Sequence, residues 1–243
     1  MNRECLYEWF NGLYRRCFPL YRVLYFLYKR ISDRDKIGLI AGQVGPGMVA
    51  LDIGANIGFY TRLLSRSVGA AGAVYAFEPE ARNFEHLERL TGNLANVKAV
   101  RAACGEKSGM ARLYRSERLN VDHHLYENDE PRGTIEVPMV SVDDHLMHET
   151  RDIGFVKIDV QGYDCFVVRG MRETLSRSGR PVILGELWPY GLRQAGSSAD
   201  EYLSELRRLG FAVRILSGDP PRPWSSYGQD RGYYCDFVAR RPL

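Results

Sequence analysis

Short apolar runs and longer stretches with apolar residues every three or four positions follow one another along most of this chain. The runs predict strands over Met48–Ile53, Ala73–Phe77, Val97–Ala102, Phe155–Ile158, Val182–Glu186, Phe211–Leu216 and Tyr233–Ala239. The periodic stretches predict helices over Asp33–Ala41, Ile57–Ser67, Ala81–Thr91, Val142–Glu149, Tyr163–Arg177 and Ala199–Leu209. Strands alternating with helices imply right-handed crossovers and a mostly parallel sheet, so the fold class is α/β with helices on both faces. The rhythm breaks twice. At about 109–140, ARLYR and TIEVPMV read as hairpin arms around a polar stretch. Near the end, the Pro- and Ser-rich GDPPRPWSSYGQDRG joins two strands, as an antiparallel closing hairpin would.

The stretch VALDIGANIGFY is the natural centre, because an apolar strand ends in Asp52, passes through Gly54-Ala55-Asn56-Ile57-Gly58, and enters a helix. Glycines let backbone approach a ligand, and the N–H groups of a helix start attract anions. The spacing D-x-G-x-x-x-G lacks the third glycine of a dinucleotide fingerprint, which weakens a nicotinamide reading. The next strand, AVYAF, ends in Glu78-Pro79, a carboxylate suited to ribose hydroxyls. Since ligands of open α/β sheets collect at the carboxyl ends of strands, Asp52, Glu78, Asp159 and Glu186 should converge on one rim. For any one of them, capping of the next helix is an equal alternative; for all four together it is not.

Paired acidic strand ends around a glycine turn look like the cofactor site of S-adenosylmethionine (SAM)-dependent methyltransferases. LDIGANIGFYT, AFEPEARNFEHLERL, AACGEKSG, SVDDHL and VKIDVQGYDCFVVRGM, in that order between Val49 and Leu187, resemble the FkbM-type methyltransferase family. The resemblance implies a Rossmann-like class I sheet of seven strands, mostly parallel with an antiparallel last strand. It also implies SAM as cofactor, bound by Asp52, Gly54, Ala55, Asn56, Gly58, Tyr60 and Thr61 near its methionine end and by Glu78 and Pro79 at its ribose. Ala103 and Cys104 would lie against adenine. The family's segment reads KIDVEG, whereas Gln161 stands here in place of the Glu.

The expected activity is O-methylation of a hydroxyl on a small molecule, sugar or glycolipid. A neutral hydroxyl needs a base during attack, and His or a carboxylate serves. His123, in the run Asp122-His123-His124, is the candidate general base, with Asp122 orienting it or binding the acceptor. Asp159 is assigned to the methionine end or the acceptor, and Glu186 to the acceptor. Trp188, Tyr190 and Trp224 are candidates for an aromatic wall. His145 and His148 read as surface residues, and no positive argument supports a divalent metal on Asp159 and Glu186. Two other classes compete: a catalytically silent nucleotide-binding or membrane scaffold, and an NAD-dependent oxidoreductase.

With 243 residues, 45% hydrophobic and 26% charged, the chain suits one globular domain with appendages. We divide it into a helical extension at 1–44 and a methyltransferase domain at 45–243. Five scattered cysteines suit neither a disulfide framework nor a C-x-x-C metal site, which points to the cytoplasm. The first thirty residues carry six basic against two acidic side chains, while the whole chain is only +3. They are dense in aromatic residues, yet their longest clean apolar run, VLYFLY, falls short of the roughly twenty residues a bilayer span needs. Two helices broken near Pro19 are expected, serving as a lid, a homodimer contact or a peripheral membrane contact. With no nucleic-acid motif and a near-neutral remainder, nucleic acid is not expected as a partner.

Overall fold

The structure is a computed structural model describing residues 11–116, 123–127, 133–218, 220 and 222–242. Its strands are β1 Val49–Ile53, β2 Ala73–Phe77, β3 Val97–Val100, β4 Ala103–Cys104, β5 Gly109–Arg115, β6 Gly133–Val140, β7 Ile153–Ile158, β8 Val182–Leu187, β9 Ala212–Ile215 and β10 Cys235–Arg240. Seven of them form the main sheet, in the order β3-β2-β1-β7-β8-β10-β9. The pairs β1·β2, β2·β3, β1·β7 and β7·β8 are parallel, and β10 runs antiparallel to both β8 and β9. This is the sheet the sequence predicts. Every residue of β1 and β2 is buried, as two-sided coverage by helices requires.

One face packs Val49, Leu51, Ile53, Val156 and Ile158 against the helices Asp164–Arg169, Arg172–Arg177 and Ala199–Arg208. The other packs Ala50, Val74, Phe155 and Leu184 against Phe59–Val68 and the N-terminal helices. Ser198 accepts the Glu201 N–H at 3.1 Å and Glu80 accepts the Asn83 N–H at 2.8 Å, so each caps the helix that follows.

Three elements depart from the periodicity. The helix expected over Tyr163–Arg177 is interrupted at Gly170, whose backbone lies on Gly105 so closely that a Cβ would be 1.9 Å from the Gly105 carbonyl oxygen. The helix expected over Val142–Glu149 stops at His145. The short helix Pro189–Gln194 falls where no element is predicted, and the 3₁₀ turn Trp224–Tyr227 lies in the Pro- and Ser-rich connection between the last two strands.

The insertion forms a second sheet, in which β5 pairs antiparallel with β6 and β4 pairs parallel with β6. At the N-terminus, residues 11–16 are helical, the chain breaks at Cys17, and a helix runs over Phe18–Ser32 with Pro19 in its first turn. A further helix spans Arg34–Gln43. Tyr14 and Tyr21 are buried around Ile57 of the glycine turn, and Phe26 meets Phe59 edge-on at 5.2 Å. Lys36 pairs with Asp236 of β10 at 2.6 Å. The N-terminal helices thus lean on the strand ends. Among the described residues no helix is long and apolar enough to cross a membrane.

Candidate functional site

A cleft of about 460 Å³ opens at the carboxyl ends of β1, β2, β7 and β8, within the size range of small-ligand sites. Gly54, Asn56, Glu78, Pro79, Ala103 and Cys104 line it, as do His123, Asp159 and Glu186. Nine residues singled out from the sequence therefore meet in one space. Ala55, Asp52, Tyr60 and Thr61 are buried beneath it, and Gly58 lies against Leu87, where a Cβ would be 2.9 Å from Cδ1.

The glycine turn is fixed from both sides. Gly54 has φ +78°, and a Cβ there would stand 2.0 Å from the Asp159 carbonyl oxygen. Only a residue without a side chain permits β1 and β7 to close so tightly at their ends. The N–H groups of Gly54 and Ala55 donate to Phe77 O at 3.1 and 2.9 Å, which anchors the turn to β2. Glu78 completes the anchor: its Oε2 accepts the Asn56 N–H at 2.9 Å and its Oε1 accepts the Glu80 N–H at 3.0 Å. Burial pushes the Glu78 carboxyl up to about 7, against the pull of these N–H donors. Asn83 also bonds to Glu78, and its Oδ1 accepts the Tyr14 hydroxyl at 2.7 Å, so the N-terminal segment reaches Glu78 through one side chain.

Under the floor lies a residue the sequence pattern does not single out. Lys157, buried on β7, donates to Gly54 O at 2.7 Å and stands 3.4 Å from Asp52 and 3.7 Å from Asp159. Asp52, wholly buried, accepts Thr61 Oγ1 at 2.6 Å. Tyr60 donates to Asp33 at 2.5 Å. Asp52, Tyr60, Thr61 and Lys157 thus hold the glycine turn from below. The one signal for Lys157 in the sequence is a lone lysine inside the apolar run FVKI.

The two rim acids differ in character. Burial works against ionisation of Asp159, but Lys157, Lys29 and Lys36 outweigh it and hold its carboxyl below the usual range, and Gln161 Nε2 donates to it at 3.0 Å. Burial and then the charge of Asp159 push Glu186 well above the ordinary range, which Lys36 only partly offsets. Tyr25, Tyr28, Lys29 and Lys36 from the N-terminal helices wall this side of the cleft.

His123 faces the cleft from the insertion, and its Nδ1 accepts the Ser116 N–H at 3.1 Å. A neutral imidazole accepting there carries its proton on Nε2. Asp122, expected to orient it, lies outside the described residues. Trp188 lines the cleft with Arg231 and Tyr234, whereas Tyr190 is buried under Arg231 and Trp224 packs on Tyr227 and Tyr233 away from it. Cys104 is a buried lining thiol whose burial raises its pKa, which does not favour a nucleophile. His145 and His148 are exposed. Among the described residues no three His, Cys, Asp or Glu side chains group as metal ligands would.

The methyltransferase FkbM domain family matches over residues 52–213. No curated protein sequence matches the chain. Several solved structures share the fold. A Clostridium thermocellum protein assigned as an rRNA methylase has TM-score 0.52 and 11% identity over 85% of this chain and 93% of its own. Fibrillarin of Aeropyrum pernix, solved with natively bound SAM, has TM-score 0.51 and 16% identity over 85% of this chain and 74% of its own. A Streptococcus mutans protein assigned as a methyltransferase, in complex with S-adenosylhomocysteine (SAH), has TM-score 0.52 and 13% identity over 86% of this chain and 97% of its own. At such identities the likeness is one of fold. That fold serves an rRNA methylase among others, so the likeness specifies no acceptor class and does not support the expectation, drawn from charge and the lack of a motif, that nucleic acid is not a partner.

Proposed function

Because the chain belongs to the family of FkbM-domain methyltransferases, we propose that it methylates a hydroxyl oxygen of a small molecule, sugar or glycolipid, with SAM as methyl donor. One observation carries this reading: two rim carboxylates on adjacent strands have environments that drive their proton affinities apart, Asp159 down and Glu186 up. Such a pair, lining one cleft, supplies a fixed negative charge beside a carboxyl of higher proton affinity.

The residues fit the donor. Gly54 brings bare backbone to the cleft, Glu78, held by the Asn56 and Glu80 N–H groups, offers a carboxylate to a ribose diol, and the small Ala103 and Cys104 line a place for a flat ring. SAM, when bound, brings a methyl group activated on a sulfonium. Asp159, held ionised in the cleft, would balance that positive charge. The tyrosines and lysines of the N-terminal helices, with Trp188 and Arg231, hold the acceptor for in-line attack, an effect worth up to ~7–11 kcal/mol. When the methyl group passes to the acceptor oxygen, Glu186 would receive the hydroxyl proton. His123, with Nδ1 engaged by Ser116, acts as a donor that orients the acceptor, so we place Glu186 ahead of it as base. Aromatic faces beside an arginine suit a sugar or other polyhydroxylated ring.

The test is calorimetric titration with SAM, SAH and NAD, followed by transfer of labelled methyl to a panel of hydroxylated sugars and lipids. Glu186→Gln should keep SAM affinity and lose roughly 10²–10⁴-fold in kcat. Unchanged turnover in that variant, or binding of NAD alone, would overturn the assignment.

A further inference from the structure

The helix Phe18–Ser32 is apolar on two sides. Its inner side supplies Tyr21 to the core, and Tyr25 and Tyr28 to the cleft wall. Its outer side shows Leu20, Val23, Leu27 and Ile31, at helical spacing and all exposed, with Leu27 at 50% and Ile31 at 77%. Beside this stripe runs a second cavity of about 410 Å³, outside the methyltransferase cleft, between this helix and Phe59–Val68. Its floor is apolar, with Phe26, Phe59 and Leu63 among its residues, and its charged residues are four arginines, Arg22, Arg30, Arg62 and Arg66, with no acid. None of the four makes an ion pair with another described residue. Burial and then the repulsion of Arg66 and Arg22 hold the Arg62 guanidinium below its ordinary pKa, as expected of a cationic cluster lacking counter-charge.

An exposed apolar stripe with an arginine-lined groove along its flank is the form of a helix that lies in a membrane interface. Apolar side chains enter the acyl boundary, and basic ones meet headgroup phosphates. Arginine suits this because its planar fork pairs phosphate oxygens two at a time. We infer that the outer face of Phe18–Ser32, with the groove of Arg22, Arg30, Arg62 and Arg66, docks on an anionic phospholipid surface. The same helix then presents Tyr25 and Tyr28 to the cleft, so its inner side walls the acceptor space while its outer side rests on lipid. An acceptor held in the bilayer would reach the cleft past Tyr28, which is both exposed and cleft-lining.

Co-sedimentation with vesicles tests the docking, using phosphatidylcholine alone against phosphatidylcholine mixed with phosphatidylglycerol. The full chain should pellet with the anionic vesicles and lose that binding at high salt. Leu27→Glu with Ile31→Glu, and separately Arg30→Glu with Arg66→Glu, should each weaken partition by about tenfold or more. All four residues lie outside the cleft, so SAM titration should be unchanged in both variants. That arm also shows that each variant is folded and keeps failure of docking distinct from failure of the methyltransferase reading. Should one pair fail to fold, the other decides. Equal pelleting with both vesicle types, or no pelleting, overturns the proposal. So does a wild-type chain found dimeric by light scattering that Leu27→Glu with Ile31→Glu renders monomeric, since the stripe then belongs to a second copy.

Discussion

Replacing Gly54 by alanine separates two costs that the fold imposes on the glycine turn. The first is conformational. An alanine at φ +78° crowds its own backbone, at about 1–2 kcal/mol. The second is contact: the new Cβ would lie 2.0 Å from the Asp159 carbonyl oxygen, so the turn must retreat from β7 by about 1 Å. That retreat is resisted by the hydrogen bonds of Gly54 and Ala55 to Phe77 and of Asn56 to Glu78, and overpacking of this kind costs about 1–3 kcal/mol. The sum is a destabilisation of about 2–5 kcal/mol. Gly47 provides the control, because it has φ +83° with nothing within 4 Å of where a Cβ would stand, so Gly47→Ala carries the conformational cost alone. Equilibrium urea unfolding of the two variants yields the contact cost by difference, and SAM titration of Gly54→Ala should show weakened binding because the Asn56–Glu78 bond moves. A Gly54→Ala protein no less stable than Gly47→Ala would refute the close approach of β1 to β7 and the argument built on it.

Lys157→Met removes the cation facing the buried Asp52 and should cost about 3–5 kcal/mol in urea unfolding, whereas the double change with Asp52→Asn should recover much of that; a loss under about 1 kcal/mol counts against the buried pair. If Glu186 accepts the proton, it must be ionised before attack, so the acid limb of the kcat profile should fall at a pH well above that of an ordinary carboxylate; a limb near the usual Glu value speaks against the role. His86 stacks on Phe18, neither ring nitrogen has a hydrogen-bond partner, and burial with Arg89 and Arg82 lowers its pKa from the ordinary 6.5 to about 4. The unfolded chain then takes up that proton first, so stability should fall as pH drops from 6.5 toward 4, by up to about 1.4 kcal/mol per pH unit, and His86→Phe should flatten the slope.

The strands themselves, their mostly parallel sheet and its rim were legible because period and length mark them. Five-residue runs such as AVYAF and VALDI, apolar but for Asp52, admit little but buried parallel strands, and the acids at their ends fall where a parallel sheet gathers its ligands. The same uniform burial hid the vertical placement of Asp52, since a strand covered on both faces has no polar side to mark which residues point at the cleft. Lys157 was invisible for a related reason. One lysine in an apolar strand acquires meaning only when β1 is laid beside β7 and its amine is found between Gly54 O and Asp52. The interruption at Gly170 coincides with a backbone contact with Gly105, distant in the chain, which no local period encodes. The N-terminal helices were readable as helices near Pro19, but that Tyr25, Tyr28, Lys29 and Lys36 wall the cleft depends on where the helices pack.

Gln161 shows how a departure from a motif acquires a physical sense. In KIDVEG a second carboxylate would follow Asp159 by two positions, and its absence here removes a charge beside the rim. The backbone at Gln161 is left-handed, φ +54°, which turns its side chain back onto Asp159, where Nε2 donates to Oδ1 at 3.0 Å. An amide so placed favours the ionised form of Asp159, in the same sense as Lys157, Lys29 and Lys36. A Glu in that geometry would set like charges together and oppose it. The substitution therefore widens the separation between an acid that keeps its charge and Glu186, which binds a proton more readily. The chain's own deviation from its family acts in the direction that the assigned roles of the two carboxylates require.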